Sequence, residues 1–131
     1  MTGLVRRPVT LWDAARHGDE PYMATITFRA DDPYAVELDI PRRGVTVTFA
    51  RDLIIDGLAW PSGDGVVRVE PHEDDSDYLI LWPTVRRDRV FYAERDAVEA
   101  FLEETCRMVP LNRQRPIARA ELDRWLAEVT A

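Results

Sequence analysis

The stretch YMATITFRADDPYAVELDIPRRGVTVTF, residues 22–49, decides the fold. From Tyr22 to Arg29 the side chains alternate, with Tyr22, Ala24, Ile26 and Phe28 on one face and Met23, Thr25 and Thr27 on the other. A period of two with one apolar face marks a half-buried strand. Asp31-Asp32-Pro33 then supplies turn chemistry. Val36, Leu38 and Ile40 alternate with Ala35, Glu37 and Asp39, Pro41 to Gly44 makes a second turn, and Val45, Val47 and Phe49 alternate with threonines. Three successive strands on connections this short predict an antiparallel meander.

Outward from this segment the period changes. Leu53, Ile54 and Leu58 recur at helical spacing, so Arg51 to Asp56 reads as a short helix that Gly57 ends in a left-handed cap. Pro61, Gly63 and Gly65 punctuate a loop. Val66–Glu70, Tyr78–Trp82 and Arg89–Ala93 are three more expected strands, and Pro8–Trp12 is a further candidate that Pro8 restricts to a strand start or an edge. The last third is helical. Asp96 with Glu99 resembles a capping box, Val98, Phe101, Leu102, Thr105 and Val109 share one face, and Ala118, Leu122, Trp125, Leu126 and Val129 make a second amphipathic helix. Each is too short to be stable alone and must dock on the sheet, with Phe101, Leu102, Trp125 and Leu126 as its expected contacts. The class is therefore α+β: an antiparallel sheet or half-barrel of six or seven strands, one short helix mid-chain and two C-terminal helices. Length, with no repeat and no linker, makes residues 1–131 a single expected domain.

Composition narrows the function. The chain has 24 acidic side chains against 17 basic ones, all arginine, and a net charge of −7. A general polyanion binder needs a cationic footprint and is disfavoured. Apolar runs such as Leu79 to Trp82 are too short to span a bilayer, and no apolar signal core follows the N-terminal arginines, so the expected location is the cytoplasm. Cys106 is the one cysteine, and His17 and His72 make no ligand pattern, so neither a disulfide nor a metal site is expected.

The candidate sites each have a plain structural reading. Glu70, His72, Glu73, Asp74, Asp75 and Asp77 offer carboxylates to a cation but lack the spacing of a calcium loop, and a solvated hairpin loop is the stronger reading. Arg51-Asp52 reads as a helix-end ion pair or capping acid rather than a functional pair. Gly63-Asp64-Gly65 precedes a strand and is a turn, not a phosphate loop. Cys106, inside a helix with no histidine near it, reads as buried and inert. Arg86, Arg87 and Arg89, beside Phe91 and Tyr92, are the candidates for single-stranded nucleic acid; an arginine-rimmed hairpin is the simpler account. Trp12, Trp60 and Trp82 stand at strand ends or in loops, and with sheet edges to be covered they are the candidate oligomer interface. No cofactor site and no catalytic constellation emerges.

Asp32-Pro33-Tyr34-Ala35-Val36, Phe49-Ala50-Arg51-Asp52-Leu53, Gly57-Leu58 and Pro61-Ser62-Gly63-Asp64-Gly65-Val66-Val67-Arg68-Val69-Glu70-Pro71, in that order and spacing, resemble the SsgA-like family of actinobacterial sporulation and cell-division regulators. Ala97–Leu102 and Leu122–Glu128 also match, so the resemblance covers about residues 24–130. Val66, often aspartate in the family, and Glu70, often aromatic, depart from it. The resemblance implies a Whirly-like fold and a homo-oligomer, a trimer ahead of a dimer. It further implies a non-enzymatic protein-protein adaptor that positions or promotes the division septum, with division proteins such as the tubulin-like FtsZ, or SsgA-like paralogues, as partners. A single-stranded nucleic-acid-binding regulator on the same fold is the alternative.

Overall fold

The computed structural model describes residues 3–14, 20–63, 67–83 and 90–111. Eight strands run through them: β1 (Leu4–Asp13), β2 (Tyr22–Arg29), β3 (Asp32–Ile40), β4 (Val45–Ala50), β5 (Ser62–Gly63), β6 (Val67–Pro71), β7 (Tyr78–Pro83) and β8 (Phe91–Glu94). Two helices, α1 (Arg51–Gly57) and α2 (Arg95–Met108), complete the described elements. All strand pairs are antiparallel, in the order β4-β3-β2-β1-β8-β7-β6-β5. Two sequential meanders are thus joined where β1 meets β8, through Leu11↔Ala93, Trp12↔Tyr92 and Asp13↔Phe91. The expected C-terminal helix with Trp125 and Leu126 lies outside the described residues.

The alternation in residues 22–49 places side chains as expected. Tyr22, Ala24, Ile26 and Phe28 are buried on the inner face with Val36, Leu38, Ile40 and Phe49. The sheet curls, because Phe49 of β4 and Val69, Leu79 and Leu81 of β6 and β7 line the same apolar gap of about 20 Å³ with Val9, Leu11 and Val98. That gap is about the size of a single water and has no polar wall to hold one. α2 closes the inner face through Val98, Phe101 and Leu102, all buried. A further tie runs from β1 to α2 as an ion pair between Arg7 and Glu104.

Several local expectations need correction. The β2–β3 turn is Ala30-Asp31; Asp32-Pro33 already belongs to β3, where a register shift after Phe28 takes up the slack. β1 starts earlier than expected, at Leu4, so Pro8 lies within it, and of the two expected places for Pro8 the edge is the one found. It is tolerated there because β8 pairs only with Leu11–Asp13, so one side of the β1 backbone at Pro8 needs no ladder partner. Ser62-Gly63, expected as loop, pairs with Val69 and Arg68 as the short strand β5. α2 starts at Arg95 with Glu94 as N-cap and no side-chain cap, so the capping box is not formed; Glu99 instead accepts from Arg95 Nε at 2.8 Å, an i,i+4 pair.

Gly57 is not left-handed. Among the described residues only Gly44 has positive φ, at 62°, after the 3-10 turn Pro41–Arg43. What Gly57 provides is room: a Cβ there would lie 2.6 Å from Val69 Cγ1 and 3.0 Å from the Val69 carbonyl oxygen. This decides the sign of one substitution. On an open helix Gly→Ala gains up to about 1 kcal/mol, whereas forcing a methyl into a packed contact costs about 1–3 kcal/mol. Gly57→Ala is expected to lower the urea midpoint at unchanged slope; a raised midpoint would show that the helix does not press on β6.

Candidate interaction surface

In-register partners of an antiparallel pair point to the same side of the sheet. Trp12 opposes Tyr92, Tyr92 opposes Ile80 and Ile80 opposes Glu70, so β1, β8, β7 and β6 carry one row across the outer face. Tyr78, two residues from Ile80 along β7, joins the row. Trp12 meets Tyr78 edge to face, ring centroids 5.7 Å apart at 85°. Tyr92 meets His72 at 4.9 Å and 73°. Trp12, His72, Tyr78, Ile80 and Tyr92 are all half-buried, and Met23, on the β2 side, is 59% exposed. Thr10, opposite Met23, places its hydroxyl 3.9 Å from the Met23 sulfur. The result is an aromatic patch built by strand pairing from residues distant in sequence.

Its rim is acidic. The loop from β6 to β7 holds Glu73, Asp74, Asp75 and Asp77, all exposed. His72 Nδ1 accepts from the backbone N–H groups of Asp74 and Asp75, each at 3.1 Å, and Asp75 Oδ1 accepts from the Asp77 N–H at 3.0 Å. The loop is thus a hydrogen-bonded hairpin connection, as its composition suggested, and His72 serves both the loop and the aromatic row.

The three tryptophans stand on different elements of the chain. Trp12 is engaged by Tyr78, and Trp60 stands on the connection from α1 to β5, 59% exposed, its backbone N–H donating to Asp56 O at 3.1 Å. Trp82 occupies β7 opposite Arg68; its side chain lies outside the described residues. Arg86, Arg87 and Arg89 lie outside them too. Among the described basic side chains some pack on aromatic rings, while others such as Arg29 and Arg107 are exposed. Arg42 and Arg43 lie over the Tyr22 ring at 4.8 and 5.2 Å, and Arg43 is 6.0 Å from the Phe91 ring. Cys106 is half-buried on α2 rather than fully enclosed.

Arg51 is the main surprise. Expected in a helix-end ion pair with Asp52, it is fully buried, its guanidinium 4.8 Å from the Phe28 centroid and donating through Nη1 to Val109 O at 2.9 Å. Burial pushes its pKa below the usual arginine value, with Cys106 and Asp52 pulling it back. Asp52 keeps the expected place in the first turn of α1.

Residues 23–114 match the family described as Streptomyces sporulation and cell division protein, SsgA. The chain belongs to the SsgA family. Relatives agree: the sporulation-specific cell division protein SsgB of Frankia casuarinae is 34% identical over 113 residues, covering 82% of this chain and 77% of that one. SsgB of Streptomyces coelicolor is 30% identical over 116 residues, covering 85% and 83%. The fold is shared as well. A structure from work on SsgB mutations that correlate with longitudinal cell division during sporulation of Streptomyces coelicolor superposes with a TM-score of 0.74 at 29% identity, covering 84% of this chain and 90% of that one. The SsgA-like sporulation-specific cell division protein of Thermobifida fusca gives 0.72 at 25%, covering 95% and 93%. A role in sporulation and cell division follows for this SsgA-family chain. Among its described residues no helix is long and apolar enough to cross a membrane.

Proposed function

We propose that this chain is a non-enzymatic adaptor of the division septum, working in the cytoplasm and presenting its outer sheet face to a partner of the division apparatus. The observation that carries the reading is the half-buried row Trp12, Tyr78, Ile80 and Tyr92 beside the exposed Met23. Aromatics and methionine at the centre with charge at the margin is the composition of a protein-protein contact. The division protein FtsZ and SsgA-like paralogues are the named partner candidates, and the cell-division role of the relatives supports that choice. Nucleic acid is the weaker reading, given a net charge of −7 and arginines spent on Tyr22, Phe91 and Phe28.

Pull-down from the sporulating host with the full chain tests the partner, and a Met23→Ser/Tyr92→Ala variant tests the face. An aromatic anchor worth about 2 kcal/mol corresponds to about 30-fold in Kd. The variant is expected to lose captured division proteins and septal fluorescence while keeping its fold. Wild-type capture by that variant would defeat the assignment.

Self-association belongs to the same reading, a trimer being what the family resemblance implies. Trp60, exposed and outside the aromatic row, is its marker. Trp60→Ala is expected to reduce the mass seen by light scattering at micromolar concentration without loss of secondary structure, and a wild-type chain that scatters as a monomer would remove the oligomer from the proposal.

A further inference from the structure

The two edges of the sheet differ. β5 ends it with two residues, Ser62-Gly63, too few to template another strand. β4 ends it with six, Val45–Ala50, and among the described residues only β3 pairs with it. Edge strands are ordinarily blunted by charge, proline or a bulge. β4 has none of these: Val-Thr-Val-Thr-Phe-Ala holds no ionisable side chain, and its register with β3 is continuous from Ile40↔Val45 to Ala35↔Ala50. Val45 is 41% exposed and Val47 only partly buried, so the inner apolar row stops unfinished at this edge.

We propose that β4 pairs antiparallel with β4 of a second copy of this chain, about a two-fold axis at Val47. The strand is self-complementary in that register. Val45 faces Phe49 of the second copy on the inner side, Thr46 faces Thr48 on the outer side, and each pairing occurs twice. Apolar meets apolar, hydroxyl meets hydroxyl, and no like charges oppose one another, which are the favourable cross-strand combinations. Moving the axis to Thr48 would set Val45 against Arg51, already the first residue of α1, and leave the exposed valine uncovered. The pairing also supplies ladder partners for the outward backbone groups of β4. A two-fold contact is closed; if another face builds a ring, this one joins two rings.

The test is the mass of the full-length assembly by light scattering or mass photometry. Thr46 and Thr48 are exposed, Thr46 donating to Asp39 Oδ1 at 2.9 Å, so changing them leaves the core intact. Thr46→Lys/Thr48→Lys sets lysine against lysine twice and is expected to halve the mass with an unchanged circular dichroism spectrum. Thr46→Lys/Thr48→Glu sets lysine against glutamate twice and is expected to keep the wild-type mass. Val47→Cys in a Cys106→Ala chain is expected to give a covalent dimer on oxidation, since facing Cα atoms in an antiparallel pair lie about 4.5–5.5 Å apart, within disulfide reach. The same mass in wild type and both threonine variants, or a monomeric wild type, overturns the proposal; so does a Lys/Glu variant as small as the Lys/Lys one. Septal recruitment retained by Met23→Ser/Tyr92→Ala, with the threonine variants giving the expected masses, would defeat the partner-binding face and leave this edge standing.

Discussion

Arg51→Ala is expected to destabilise the protein by about 3–5 kcal/mol. The side chain is fully buried, so truncation leaves a void as well as a missing charge. It removes the hydrogen bond that the half-buried Val109 carbonyl accepts from Nη1 at 2.9 Å; a bond to a charged donor is worth about 1.5–3 kcal/mol. It also removes a guanidinium from the face of Phe28, about 2 kcal/mol when desolvated. Working against these is relief from burying a cation, the same burial that lowers the Arg51 pKa. Arg51→Met should therefore recover part of the loss, because an apolar chain of similar length refills the space without the desolvation cost. Urea denaturation of the two variants measures the difference. A loss below about 1 kcal/mol for the alanine variant would mean that Arg51 is dispensable for tying α1 to the end of α2. The C-terminal turn of α2 should also exchange its amides faster in Arg51→Ala, since Val109 follows that helix directly.

Phe101→Ala should cost a similar amount, about 3–5 kcal/mol, by the simpler route of an empty space in the core. Phe101 has no exposed surface and lies on the α2 face that closes the inner side of the sheet, with Val98 and Leu102 buried beside it. Leu102→Ala is expected at about 2–5 kcal/mol on the same grounds. Glu103, next in sequence but exposed, provides the control: Glu103→Ala should stay within about 0.5 kcal/mol. A Phe101→Ala chain that melts with the control would place α2 off the sheet.

The strands of residues 22–49 were legible because the apolar side chains of each gather on one face, Thr27 alone being buried on the other, and a period of two is then written directly into the side chains. β1 was legible in part. Its outer positions are Leu4, Arg6, Pro8, Thr10 and Trp12, a mixture that hides the alternation of Val5, Val9 and Leu11 on the inner side. Gly57 was noticed for the wrong reason: sequence shows that a side chain is absent, but only Val69, from another strand, shows why. Arg51 was unreadable in principle, since an arginine beside an aspartate is nearly always solvated, and its partners Phe28 and Val109 are remote in the chain. The aromatic row failed to show for the same reason. Trp12, Tyr78 and Tyr92 become neighbours only once the register between β1, β8 and β7 is known. Trp12 and Trp60, both expected at strand ends or in loops, lie on β1 and on the connection from α1 to β5.

The seam between the meanders also orders events in time. Among the described residues every strand pair but one joins consecutive strands; the exception, β1 with β8, must wait until the chain has been made past residue 93. Local hairpins close quickly and a loop of this length slowly. On the ribosome, residues 4–50 can assemble their meander while the second is still being translated, but their inner face stays open until β8 arrives and α2 follows it at once from Arg95. In that interval the uncharged edge of β4 and the uncovered core of the first meander are exposed together, and chaperones would find their substrate there.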